Sequence, residues 1–278
     1  LYYIFKNCDR FFNISYNSRI NVLKEMFIIN NKPIELKTLE DKKKIAEKFY
    51  FKAYYSIYKD EKIKFYTMAI KMNPKYTDAY FNRAEVFRSL KEYSKSIKDF
   101  TRVIELDPKD KDAYNNMAVA YYENEEYEKA LDSYTKVIKL DHENYNAYFN
   151  RGLTYKAQNK YHKAIKDFYK TIVLNPVDKE AYFNRGIMYY NIGKYNKAVE
   201  DYTKAIEIDN KYEDAYNNRG TVFYLIGKYE EAIKDYIKVI TLNPNSLETY
   251  YNISLICAEE DMNSIICSEN KKIITNDN

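Results

Sequence analysis

Apolar and polar positions alternate along this chain with a helical period, and the alternation keeps a fixed frame. Tyr182, Gly186 and Tyr189 stand at i, i+4 and i+7, and so share one face of a helix. Ala198, Tyr202 and Ala205 do the same on a second helix. Between them Asn191-Ile192-Gly193-Lys194 predicts a turn, with Gly193 in the left-handed conformation that closes a helix. The string Ala79-Tyr80-Phe81-Asn82-Arg83-Ala84 returns every 34 residues, beginning at Ala113, Ala147, Ala181 and Ala215, with a worn copy from Thr249 to Ser254. Pro74, Pro108, Pro176 and Pro244 share one site of this frame, held by His142 and Asn210 in the other two copies; only Pro33 lies outside it. The small residues Ala84, Ala118, Gly152, Gly186 and Gly220 let a neighbouring helix approach, as do Ala130, Ala164, Ala198 and Ala232 on the second helix. One helix pair cannot bury its apolar face alone, so successive pairs must stack.

In one unit the landmarks are Tyr148, Gly152, Tyr155, Ala164, Phe168 and Pro176. This aromatic–small–Tyr–Ala–aromatic–Pro spacing resembles the tetratricopeptide repeat (TPR) family. The resemblance implies an all-α, right-handed superhelical solenoid of antiparallel helix pairs whose first helices line a concave side. It covers residues 77–246 as five full units. Residues 43–76 read as a degenerate unit that keeps Tyr66, Ala69 and Pro74 but has Ala46 and Tyr50 at the aromatic and small sites. Residues 1–42 lie outside the repeat and are expected to cap it with helices or to be the remnant of an upstream domain. Residues 247–278 are expected to form a partial repeat, with a first helix from Leu247 to Glu259, a capping helix from Met262 to Ile274, and a tail.

Four units carry an unusual pair. The family places Leu before the small residue, whereas this chain has Arg83, Arg151, Arg185 and Arg219. The same units carry Asp99, Asp167, Asp201 and Asp235 on the second helix, and the unit with Met117 has Ser133 instead. Both members are present or both absent, which predicts four structural ion pairs between the helices of a unit: an interior Arg needs such a partner.

Asn82, Asn116, Asn150, Asn184, Asn218 and Asn252 occupy one site in six consecutive units. The family places this site on the groove. An amide both donates and accepts, so such a ladder can pair with an extended peptide backbone without reading its side chains. The arrangement is similar to the asparagine ladder in the TPR superhelix of the O-linked N-acetylglucosamine transferase. Tyr122, Phe149, Phe183, Tyr190 and Tyr224 are the expected groove aromatics. Composition bias and duplication alone would also produce a row of Asn. The carboxylate clamp of chaperone-binding relatives is not expected, because its basic members are replaced by Phe81, Glu85, Asp112, Val119, Phe149 and Leu153.

Composition narrows the function classes. Tyr is extreme at 33 of 278 residues with no Trp, which suits thin layers where a buried ring keeps its hydroxyl near water or a partner. The net charge of +4 comes from 45 basic and 41 acidic residues, well interspersed, which gives no footprint for nucleic acid. No apolar run reaches the ~20 residues of a membrane helix. Cys8, Cys257 and Cys267 are odd in number and lack CxxC spacing, so neither a disulfide framework nor a zinc site is expected, and a reducing, cytoplasmic compartment is favoured. His142 and His162 have no catalytic or metal-binding constellation around them, and no glycine-rich phosphate loop is present. The expectation is a non-catalytic scaffold without metal or cofactor, binding a protein or peptide segment in its groove. The alternatives are a structural or self-associating spacer, and the accessory region of an enzyme whose catalytic domain lies elsewhere. The sequence leaves the oligomeric state open.

Overall fold

The computed structural model describes residues 38–259. Among these the chain forms thirteen helices and no strand. A first compact unit, ending at Asn124, holds α1 (Leu39–Tyr55), α2 (Lys59–Met72), α3 (Thr77–Ser89), α4 (Tyr93–Leu106) and α5 (Lys111–Glu123). A second, from Glu125 on, holds α6 (Tyr127–Leu140), α7 (Tyr145–Ala157), α8 (Tyr161–Leu174), α9 (Lys179–Asn191), α10 (Tyr195–Ile208), α11 (Glu213–Leu225), α12 (Tyr229–Leu242) and α13 (Leu247–Glu259).

The first helix starts ahead of residue 43, and the reason is local. Thr38 Oγ1 accepts the Asp41 N–H at 3.1 Å, and Asp41 Oδ2 accepts the Thr38 N–H at 3.1 Å. This reciprocal box satisfies two orphan donors at the helix start. The expected capping helix from Met262 to Ile274 lies outside the described residues, as do Cys8 and Cys267. Cys257 is buried in α13 and is disulfide-bonded, where the spacing of the cysteines led us to expect no disulfide framework.

In both units consecutive helices pair, and each second helix also packs on the next first helix. The small residues make the close approach possible. A methyl group at Gly186 would lie 2.7 Å from Tyr202 Cε1; at Gly152 it would lie 2.8 Å from the Phe168 ring and at Gly220 2.9 Å from Tyr236. In the degenerate pair Tyr50 takes the place of the small residue. It stays buried with its ring packed at a tilt against Tyr66 at 5.6 Å and Tyr76 at 5.1 Å. Two pairs of first helices also meet, α3 with α5 in the first unit and α7 with α9 in the second.

Turns within pairs close by a bond from the second turn residue back to the last helical turn: Glu92 N–H to Phe87 O, Lys160 N–H to Tyr155 O, Lys194 N–H to Tyr189 O and Lys228 N–H to Phe223 O, at 2.8–2.9 Å. The residue between has positive φ. Gly193 and Gly227 supply it at +71° and +74°, whereas Lys91, Glu125 and Asn159 supply it at 56–60° despite their Cβ atoms.

Candidate functional site

The arginines sit at the junction of three helices. Arg83 donates from Nε and Nη2 to both oxygens of Asp99, at 2.7 and 2.8 Å. Arg151 does the same to Asp167 at 2.7 and 2.8 Å, Arg185 to Asp201 at 2.8 and 2.6 Å, and Arg219 to Asp235 at 2.8 and 2.7 Å. These are parallel two-bond forks, the strongest form of the contact. All four carboxylates are buried. Burial is the largest influence on Asp201, Asp235, Arg151 and Arg185. It pushes the Asp201 and Asp235 carboxyls up against the pull of their arginines. It also opposes the charge on Arg151 and Arg185, yet the carboxylate bonds outweigh it and hold both guanidinium groups above their usual value. Arginine stays protonated throughout the accessible range, so a fixed positive charge always faces each buried carboxyl.

A third partner joins from the preceding helix pair. Nη1 of Arg83 donates to Thr67 Oγ1 at 2.8 Å, Arg151 to Thr135 at 3.0 Å and Arg219 to Thr203 at 2.9 Å. Arg185 has no such threonine; its guanidinium lies 5.9 Å from the ring of Tyr169 instead. Where Met117 replaces the Arg, Thr101 Oγ1 meets its sulfur at 3.9 Å, and Ser133 turns its hydroxyl onto its own helix at Lys129 O.

The asparagine row lies on the first helices, and its members differ in how they are engaged. In the first unit Nδ2 of Asn82 donates to Asp78 O at 2.8 Å and to the Tyr50 hydroxyl at 3.0 Å, and Nδ2 of Asn116 donates to Asp112 O at 2.9 Å. In the second unit Asn184 is only 7% exposed; its Nδ2 donates to Glu180 O at 2.9 Å and its Oδ1 accepts Lys156 Nζ at 2.8 Å. Asn218 lies near the Tyr202 hydroxyl and partly offsets the rise that burial gives it. Asn150 and Asn252 are half-buried, and among the described residues no hydrogen bond engages their side-chain amides. Among the aromatics, Phe149 is buried against the Phe168 ring at 5.7 Å. Phe183 is half-buried between Tyr202 at 5.8 Å and Tyr212 at 4.9 Å. Tyr190 and Tyr224 are half-buried against Tyr195 and Tyr229, and Tyr122 is half-buried in the first unit.

The sequence matches the tetratricopeptide repeat over residues 77–110, 112–144, 145–177 and 213–246, and a further TPR repeat profile over residues 188–227. Together these spans take in more than half of the chain. The chain belongs to the tetratricopeptide repeat family. Solved TPR structures share its fold. YrrB, a TPR protein with an unusual peptide-binding site, is similar at 24% identity and a TM-score of 0.58, over 67% of this chain and 96% of its own. MamA from Desulfovibrio magneticus RS-1 is similar at 18% identity and a TM-score of 0.58, over 62% and 97%. PilF of Pseudomonas aeruginosa is similar at 17% identity and a TM-score of 0.58, over 77% and 96%. A comparison with curated protein sequences finds no match.

Two features of this TPR chain escaped the sequence reading, though the repeat frame carried a signal for each. Thr67, Thr135 and Thr203 recur sixteen residues before their arginines, at the same spacing as the aspartates after them. Arg88 and Lys156 occupy the site that elsewhere holds Tyr122, Tyr190 and Tyr224. Arg88 is braced by Glu85 and by Glu123 on α5, while burial pulls the Lys156 ammonium below its usual value. Among the described residues no group of His, Cys, Asp and Glu is placed to hold a metal, and no helix is long and apolar enough to cross a membrane.

Proposed function

We propose that this TPR chain is an interaction scaffold that holds an extended segment of another protein against its first-helix face by backbone hydrogen bonds. The observation that carries the reading is the state of the second unit's amides. Asn150 and Asn252 lie on first helices, half-exposed and unengaged among the described residues, each offering a donor and an acceptor. In the first unit the Nδ2 groups of Asn82 and Asn116 fold back onto their own helix, which turns each side chain into a fixed acceptor for a peptide N–H. Phe183, Tyr190 and Tyr224, half-buried on the same first helices, have rings already positioned by neighbouring aromatics, so little side-chain entropy is lost on binding. YrrB supplies a precedent for peptide as the ligand class, though not for these residues. Asn184 is too buried to take part and acts through Lys156, which it orients.

The test is selection of displayed random peptides on the wild-type protein, followed by affinity measurement with an Asn150→Ala/Asn252→Ala variant. A loss of about tenfold or more, at unchanged melting temperature, supports the groove; it corresponds to about 1.4 kcal/mol. Equal binding by the variant overturns it. Concentration-dependent growth in light scattering, with no peptide selected, would favour a self-associating spacer.

A further inference from the structure

The second-helix face of one repeat departs from the others. In α8 and the turn after it, Tyr169, Val173 and Val177 are 58%, 50% and 72% exposed. Tyr169 and Val173 are one helical turn apart and so share a face, which Val177 extends into the turn. The next repeat carries Thr203, Glu207 and Lys211 at these three sites, and the preceding one Thr135, Lys139 and Glu143. The exchange brings no evident structural benefit. Thr203 accepts a hydrogen bond from Arg219, whereas Tyr169 offers Arg185 only its ring at 5.9 Å. A more favourable buried contact has been given up to expose three apolar side chains.

Charge changes over the same face. α8 exposes His162, Lys163 and Lys166, with Lys170 half-buried beside Tyr169, and its one acid, Asp167, is buried and held by Arg151. The matching sites on α6 mix Glu128 and Asp132 with Lys129 and Lys136, and those on α10 include Glu200 and Lys197. So α8 combines an apolar stripe with a margin more basic than its neighbours', whose matching sites each include at least one acid (Glu128 and Asp132 on α6, Glu200 beside Lys197 and Lys204 on α10). Apolar patches with a charged rim mark docking sites, the apolar part supplying affinity and the rim selecting the partner's charge.

We propose that the exposed face of α8 is a second docking site, distinct from the groove, for a protein segment that carries acidic residues around two or more large apolar side chains. Tyr169, Val173 and Val177 bury the apolar anchors; Lys163 and Lys166 pair with the acids. The site does not depend on the asparagine row and survives if the groove reading fails.

The experiment selects displayed random peptides on the wild-type protein, with counter-selection on a Tyr169→Thr/Val173→Glu/Val177→Lys variant. That variant carries the residues the next repeat already uses, so it is expected to fold with an unchanged melting temperature. The expected winners are acidic and apolar together, bind the triple variant at least about tenfold more weakly and are weakened further by salt. Lys166→Glu, which matches Glu200 of the next repeat, weakens them by a similar factor. The same peptides bind the Asn150→Ala/Asn252→Ala variant as tightly as wild type. The proposal is overturned by failure to enrich any peptide with this counter-selection, or by winners that are basic or neutral. It is also overturned if the triple variant instead abolishes self-association or binding to phosphatidylserine vesicles, which would assign the face to a second copy or a membrane.

Discussion

Arg185 grips Asp201 through two bonds, from Nη2 at 2.6 Å and Nε at 2.8 Å, and so ties the first helix of its repeat to the second. Removing one member leaves the other charged and buried. Arg185→Met is expected to destabilise the protein by about 3–5 kcal/mol, and Asp201→Ser by a similar amount. The double variant carries the Met and Ser of the repeat that has Met117 and Ser133, and should recover much of the loss. Urea melts of the four proteins give the coupling; additive losses would show that the pair is not an energetic unit.

The threonines make a smaller, directional contribution. Thr203→Val removes the acceptor for Arg219 Nη1 and should cost about 1–3 kcal/mol, the range for a buried charged donor left short of a partner. Tyr169→Thr restores the arrangement for Arg185 and should leave the melting temperature equal or higher. A marked loss would mean that the ring itself holds the repeat together.

The pair was legible in the sequence because the chain contains its own controls: five copies, four with both charges and one with neither. The threonine was equally regular, but a neutral residue that also appears at 101 beside Met117 gives no all-or-none signal. The amide row shows where pattern reading stops. Asn150 and Asn184 are identical in the repeat frame, yet only Asn184 is buried beneath a lysine, because Lys156 replaces the tyrosine found in its neighbours. Phe149 likewise lies deeper than Phe183, packed into the core with Ala164 and Phe168. Depth depends on what the adjacent repeat contributes, and a single repeat's sequence does not carry that.

Alkaline pH should unfold the protein through its tyrosines. Burial, the largest cause, raises Tyr50, Tyr66, Tyr76, Tyr202 and Tyr236 above the ordinary phenol value. Tyr212 is raised too, by burial and then by Glu180, whose carboxylate accepts a hydrogen bond from its hydroxyl at 2.8 Å. The folded state thus retains protons that the unfolded chain releases above about pH 10. Stability from these groups is complete below that pH and declines as pH rises toward the folded values. Tyr202→Phe should flatten the decline measured by urea melts at successive pH values; an unchanged slope would remove this tyrosine from the account.

Two left-handed turn residues offer stabilising changes. Lys91 and Glu125 hold positive φ at a cost of roughly 1–2 kcal/mol. Glycine removes that cost but adds roughly 0.5–1 kcal/mol of unfolded-chain freedom. Lys91→Gly and Glu125→Gly should each therefore raise stability by about 0.5–1 kcal/mol in thermal melts. Asn159→Gly should change little, because asparagine tolerates this conformation. Lower melting temperatures for both glycine variants would show that the Lys and Glu side chains contribute more than their backbones lose.

Arg185 and Asp201 lie within a single 34-residue period, as do the other three pairs, and where a threonine joins a pair it reaches only one helix back. A gene duplication or deletion that begins and ends at a Pro-bearing turn copies or removes both charges at once. Lengthening this chain by whole periods therefore never strands an ion in the interior, while a breakpoint between the two helices of a period does. Such an architecture can change its reach over generations without passing through an unfolded ancestor.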